Sequence, residues 1–310
     1  MVSPSNEQLL ASCLDRLRKQ SFLEYSGEFG AEITTFMPFV AWLKREGELK
    51  GKRIKTYTGM RPYYFFLDDD EIEFTDARRK WLPYNQRYWP SNASHEATAS
   101  PWHAYPDYRA QFSQRPIALK RPTIFIQNKF TVDFKEGPIN YIPLRSLQRL
   151  LERSQGKFDL VYSRPQDGIR NFVDDKNYYC EYPDRSLVRL FPHVMDLETH
   201  VAKNDLDYND FKLRVLAQCY LFVAVQGGGS HLLACFGDSF LAMLHRLGPE
   251  YPHAYKNGPY QYLSANPPKM LIAQSTLDFE LAISLILKAE WKDGKVHLPE
   301  DSMLEQAAPL

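Results

Sequence analysis

Two glycine-rich stretches carry the residue types best suited to hold an anion. Gln226-Gly-Gly-Gly-Ser-His231 follows the apolar run Phe222-Val-Ala-Val225 and leads into Leu232-Leu-Ala-Cys-Phe-Gly-Asp238. Gly227, Gly228 and Gly229 have no Cβ, so their backbone can approach a ligand closely. A helix opening near Ser230 would add unpaired N–H donors and about half a positive charge. The turn reads equally as a phosphate cradle or as a tight strand-to-helix connection. The second stretch, Ser26-Gly-Glu-Phe-Gly30, lies between a short strand at 21–25 and an amphipathic helix over 31–45, with Glu28 and Glu32 beside it. A carboxylate at a helix N-terminus is held ionised, so Glu32 can act as a base only where burial offsets that effect. Its other reading is an ordinary first-turn acid.

The elements that would position these residues follow from hydrophobic spacing. Leu9, Leu10, Cys13, Leu14 and Leu17 share one face of a helix over 7–19. Strands are expected at 53–57 and 63–67, separated by the turn Thr58-Gly-Met-Arg-Pro62. The acidic run Asp68-Asp-Asp-Glu71 reads as a solvated turn rather than a metal site. From 121 onward, apolar strands at 123–127, 158–163, 194–197, 221–225 and 239–244 alternate with helices at 143–153, 209–220, 230–236 and 277–288; an extended piece is expected at 178–182. That alternation predicts an α/β fold whose second half is a doubly wound parallel sheet covered on both faces. The expected units are an N-terminal α/β domain over 1–120, a nucleotide-binding domain over 121–275, and a last helix with tail over 276–310 that packs back on the first domain.

In an open parallel sheet, ligands bind outside the carboxyl ends of the strands. Asn128 and Lys129, Arg164, Asp196, Gln226 to His231, and Arg246 stand at those ends. Lys129, Arg164 and Arg246 with the glycine turn suit a diphosphate, and the acidic and amide groups suit ribose or sugar hydroxyls. Each residue taken alone also fits a surface charge or helix cap. Between 81 and 114, Trp81, Tyr84, Tyr88, Trp89, Trp102, Tyr105 and Tyr108 alternate with Pro83, Pro90, Pro101 and Pro106. An ordered loop folded over a cleft is expected there, with Trp102 and His103 toward an acceptor and Arg109 as a further polar candidate.

Lys+Arg and Asp+Glu both number 38 among 310 residues, which argues against a nucleic-acid coat or a polybasic membrane anchor. Four cysteines without ligand spacing argue against zinc and against a disulfide scaffold. No apolar run approaches a membrane span, and the N-terminus has no signal-like apolar segment, so a soluble, cytoplasmic chain is expected.

The block from Asn209 to Asp238 resembles the donor-binding stretch of two-domain GT-B glycosyltransferases. It is similar to the heptosyltransferases and, more loosely, the protein O-fucosyltransferases, with Ser230-His231-Leu232-Leu233-Ala234 and Gly237 at the matching positions. Ser26-Gly-Glu-Phe-Gly30 resembles the glycine loop of their acceptor-side domain. A His-x-Arg-x-Gly-Asp motif is absent, and the N-terminal domain is short. The resemblance implies two facing Rossmann-like domains and an inverting, metal-independent transfer of a sugar from a nucleotide-sugar to a glycan hydroxyl, without a cofactor. Glu32 would be the base, with Glu28 as second choice. The donor would meet Asn128, Lys129, Arg164, Asp196, Gln226 and the 227–231 turn; Gly27, Gly30, Trp102 and His103 would face the acceptor. Two other readings stand beside it. A methyltransferase or dehydrogenase needs an early G-x-G-x-x-G that Gly27-Glu-Phe-Gly30 does not supply, and a non-catalytic nucleotide- or sugar-binding protein keeps the same fold.

Overall fold

The computed structural model describes residues 5–77, 79, 89, 101–132, 137–166, 169, 179–247, 258–292 and 295–299. Of the aromatic and proline residues expected in the loop, Trp81, Pro83, Tyr84, Tyr88 and Pro90 lie outside this set, as does Tyr178.

The chain is α/β, built on two parallel sheets. The larger has six strands: β4 (Thr123–Gln127), β5 (Asp159–Ser163), β6 (Val194–Asp196), β7 (Leu221–Val225), β8 (Phe240–Leu244) and β9 (Lys269–Ala273). Their spatial order is β6-β5-β4-β7-β8-β9, all parallel. Counted from β4 this is the 3-2-1-4-5-6 order of Rossmann-like sheets, with the direction of winding reversing between β4 and β7. Strand residues alternate strictly between two apolar clusters. Phe125, Val161, Phe222, Ala224, Leu241 and Met243 face one side; Ile124, Ile126, Leu160, Val223, Ala242 and Leu244 face the other. Burial on both faces explains why these strands read as continuous apolar runs.

Helices cover each face. On the second face lie α5 (Leu144–Ser154), α6 (Asp184–Val188) and α10 (Thr276–Ile286). Leu147, Leu150 and Leu151 of α5 are fully buried, and each contributes roughly 1.5–3 kcal/mol. On the first face lie α7 (Leu197–Lys203), α8 (Tyr208–Gln218) and α9 (Gly228–Ala234). The α10 helix packs against β8, β9 and α5, so its buried side belongs to the six-stranded sheet rather than to the N-terminal part, where the sequence had led us to expect it. A short antiparallel pair, β10 (Glu290–Lys292) and β11 (Lys295–His297), follows it.

The N-terminal part holds α1 (Asn6–Gln20) and a three-stranded parallel sheet of β1 (Phe22–Glu24), β2 (Arg53–Tyr57) and β3 (Ile72–Thr75). A capping box at Ser5 starts α1. Between β1 and β2 the helix runs as α2 (Phe29–Ala31), a π turn (Glu32–Phe36) and α3 (Met37–Arg45). Thr34 and Thr35 hydroxyls bond the carbonyls of Gly30 and Ala31 within that turn. The 63–67 segment, expected as a strand, instead begins inside a 3-10 turn at Arg61–Tyr64 that carries Pro62 in its first turn. The acidic run is a capped 3-10 turn whose Asp68 and Glu71 accept from Lys44 at 2.8 and 2.6 Å.

The two parts share one apolar core. Cys13, Leu17, Phe36, Val40, Tyr63, Tyr64 and Tyr108 belong to the same cluster as Phe125, Phe222 and Leu241. Polar ties cross the boundary near residue 120 as well. Tyr63 donates to Asn209 Oδ1 at 3.1 Å, and Asn209 Nδ2 donates to the Gly59 carbonyl at 2.8 Å. Within the aromatic loop, α4 (Tyr108–Ser113) packs on α8.

Candidate functional site at the carboxyl edge of the six-stranded sheet

The reversal between β4 and β7 brings Gln127, Asn128 and Lys129 beside Gln226 and the 227–229 turn. Gly227 has φ +145°, a conformation that L side chains rarely adopt. A Cβ there would lie 3.4 Å from Lys129 Nζ, so the ammonium sits directly over the turn. At Gly229 a Cβ would lie 2.8 Å from Cγ of Gln127. Ser230 and His231 donate their N–H groups to the Gly227 carbonyl at 3.0 and 3.4 Å, which leaves Gly228 and Gly229 to open α9. The Ser230 hydroxyl donates to the same carbonyl at 2.7 Å.

The first glycine turn is packed against the second. A Cβ on Gly30 would lie 2.7 Å from His231 Nδ1 and 3.3 Å from Gly228 Cα; one on Gly228 would lie 3.2 Å from the Gly30 nitrogen. His231 is buried between them with its ring edge-on to Tyr260 at 5.1 Å. The two stretches singled out by composition therefore meet in space. Gly27 is close-packed under the Tyr25 hydroxyl, which donates to the Glu28 carbonyl. Glu28 itself is half-buried at the N-cap of α2, and its side chain makes no capping bond.

Glu32 lies elsewhere than a base would. It is fully buried, ion-paired to Arg79 Nη1 at 2.6 Å, and it accepts from the hydroxyls of Thr56 and, at 2.9 Å, Tyr64. Burial alone would lower the Arg79 pKa, but Glu32 beside it holds that pKa raised. The guanidinium also lies over the Tyr57 ring at 4.2 Å. Glu32 thus anchors the π turn to β2 and to Arg79, a residue that nothing in its basic surroundings in the sequence marks out.

Several expected donor ligands are engaged by other groups of the protein. Arg164 grips the buried Asp184 through Nε at 2.6 Å and Nη2 at 2.9 Å, and the Tyr162 hydroxyl donates to the same carboxylate. Asn128 is buried, donating to the Tyr162 oxygen at 3.0 Å and accepting from the amides of Lys129 and Ile142 at 3.0 and 2.9 Å. Asp196 caps α7 through Thr199 N at 3.0 Å and accepts from Arg185 Nη1 at 2.8 Å. Gln226 accepts from Asn140 Nδ2 at 3.4 Å. Arg246 donates to the Ile139 carbonyl and to the Thr276 hydroxyl at 3.2 and 2.8 Å. These groups knit the strand tips together.

Of the residues expected to face an acceptor, Trp102 packs on the first cluster, and His103 Nε2 donates to the Tyr262 carbonyl at 2.7 Å. Burial lowers the His103 pKa against the opposing pull of the Tyr262 carbonyl, and because a carbonyl only accepts, Nε2 carries a proton. Tyr260 and Tyr262 share one turn (Pro259–Tyr262), so that turn meets both His231 and His103. Arg109 closes helix ends: it donates to the carbonyls of Ala217 and Cys219 at 2.6 and 3.0 Å and stacks on Tyr220.

Lys212, like Arg79, has no signal in the sequence. Lys212 of α8 is buried beneath the glycine turn and donates to Gln127 Oε1 at 2.8 Å. Burial pulls its pKa down to about 8 against the support of Glu198. That carboxylate also serves Ser163, Tyr208 and Arg185. Among the described residues, no group of three or more His, Cys, Asp or Glu is placed to hold a metal ion, and no helix is long and apolar enough to cross a membrane.

Fold and site together define a doubly wound α/β protein with a polar switch-point edge. Comparisons of the chain with protein-family models, with curated proteins and with solved structures found no match.

Proposed function

We propose that the protein is a glycosyltransferase that binds the diphosphate of a nucleotide-sugar at the β4/β7 switch point and transfers the sugar to a hydroxyl of a glycan acceptor. The observation that carries this reading is the meeting of the two glycine turns, Gly30 on Gly228 and His231, beside Lys129 over Gly227. It supports a GT-B-like arrangement in which acceptor-side and donor-side turns face each other. The acceptor oxygen attacks the anomeric carbon opposite the diphosphate; the bond from that carbon to the phosphate oxygen breaks, and the acceptor proton passes to a carboxylate. Glu28, half-buried at the turn, fits that role better than the sealed Glu32. Lys129 and the amides of Gly228 and Gly229 are the groups suited to stabilise the departing diphosphate without a divalent ion.

The sealing of Glu32 by Arg79, Thr56 and Tyr64 favours one rival, a nucleotide- or sugar-binding protein without turnover. A thermal-shift screen against uridine, guanosine, cytidine and adenosine diphosphates and their sugar conjugates, with and without EDTA, separates the readings. The transferase requires a shift with one nucleotide that survives EDTA, and release of that nucleotide from its sugar conjugate that Glu28→Gln abolishes while binding is kept. Binding without release in the unsubstituted protein selects the rival, and no shift with any nucleotide refutes the transferase and the nucleotide-binding form of the rival.

A further inference from the structure

Three aromatic rings stand at the switch point outside both apolar clusters. Phe130 and Tyr182 stack at 4.1 Å and 12°, and Tyr141 meets both edge-on at 5.0 and 5.5 Å. All three are half-buried, and none belongs to either core cluster. The sheet does not need them for its packing, yet they are held firmly. Tyr182 donates its hydroxyl to the Ile142 carbonyl at 2.9 Å, and the Phe130 carbonyl accepts from the Cys180 amide at 2.9 Å. The Arg246 guanidinium lies 5.3 Å from the Tyr141 ring centroid.

Their place relative to the glycine turn follows from the topology. Side chains alternate along the extension of β4: Gln127 and Lys129 turn toward the 227–229 turn on the α9 side, whereas Asn128 meets Tyr162 and Ile142 on the α5 side and Phe130 meets Tyr141 and Tyr182. Asn140, next to Tyr141, bonds Gln226 Oε1 at 3.4 Å and accepts from the Arg246 amide at 2.9 Å, so the loop after β4 reaches across the tips of β7 and β8. A ligand bound at this edge would have Lys129 and the glycines on one side and the rings on the other.

We propose that Phe130, Tyr141 and Tyr182 form the stacking platform for the base of a nucleoside diphosphate whose phosphates lie at Lys129 and Gly227. The assignment rests on the nucleotide-binding reading above. Every base has a π face, and a ring held in place stacks on it at little entropic cost, so the platform adds affinity for the nucleotide that an inorganic diphosphate lacks.

The test measures, by calorimetry on the full chain, the affinities of inorganic pyrophosphate and of uridine, guanosine, cytidine and adenosine diphosphates. The unsubstituted protein should bind one nucleoside diphosphate more tightly than pyrophosphate. Phe130→Leu and Tyr141→Leu should each weaken that nucleotide about tenfold or more and leave pyrophosphate unchanged. Should a leucine variant fail to fold, the ultraviolet difference spectrum of the unsubstituted complex decides: a stacked base is hypochromic, an unstacked one is not. Undiminished nucleotide affinity in the leucine variants, or a bound base with its free spectrum, overturns the platform and leaves the nucleotide reading intact. Absence of nucleotide binding by the unsubstituted protein overturns both.

Discussion

Replacing Lys212 by Met probes the charge buried under the glycine turn. Lys212 keeps its proton less readily in the folded chain, its pKa falling from 10.5 to about 8 as burial removes water from the ammonium. Between those values the unfolded chain binds more protons than the folded one. Stability contributed at this site therefore rises as pH rises, and below the folded value the full cost of burying the charge is present. Taking both values at face, the gain between about pH 7 and pH 9.5 is roughly 2 kcal/mol. Met fills similar volume and does not titrate. The unsubstituted protein has an opposing trend, because burial pushes the Cys13 and Cys219 thiols up to about 12 and Cys235 higher still, and unfolded thiols ionise near pH 9. Subtracting the two variants' unfolding free energies cancels that trend. Urea unfolding of both at half-unit pH steps is the assay. The difference, unsubstituted minus Lys212→Met, should climb with pH by that amount. A flat difference would mean that water or a carboxylate reaches the ammonium, and the reasoning would fail.

Two further substitutions test the packing around the site. Gly30→Ala should destabilise by about 1–3 kcal/mol, because its methyl would stand 2.7 Å from the His231 ring; His231→Ala in the same chain should recover part of that loss, and strict additivity in a urea double-mutant cycle would contradict the contact. Arg79→Ala should cost about 3–5 kcal/mol by leaving Glu32 buried without its cation; a loss under 1 kcal/mol in the same assay would show that the pair is solvated.

The six-stranded sheet was legible where burial on both faces leaves an unbroken apolar run. Leu221–Val225 and Phe240–Leu244 are cases in point. Strands β6, with three residues, and β9, which opens on Lys269 after two prolines, lack that signal; the sequence located the first only as part of a longer piece and the second not at all. Tyr63-Tyr-Phe-Phe-Leu67 has strong strand propensity, yet its rings are used for packing: Tyr63 and Tyr64 are buried, and Phe65 meets Tyr108 and Phe112 edge-on. Both glycine turns could be read from composition. Their apposition could not, because a contact between Gly30 and His231 leaves no trace in local spacing. Likewise, Arg164 could be placed at a strand end, but its neutralisation by Asp184 depends on how the 184–188 helix packs.

That neutralisation bears on how the edge of the sheet can work. A cation already held by a buried carboxylate offers little net attraction to an anion, and withdrawing it would leave Asp184 uncompensated. Arg164 with Asp184, and Arg185 with Asp196 and Glu198, are therefore better suited to fixing the tips of β5 and β6 than to meeting a ligand. Asn128 continues that frame to β4 through Tyr162 and Ile142. The frame matters because a glycine turn binds an anion well only if its amides are already aimed when the anion arrives. In this chain the aim is set from both sides: Gln127, braced by Lys212, presses on Gly229, and Gly30 presses on Gly228. The setting of the turn is thus shared between the two parts of the chain, which a continuous apolar core joins.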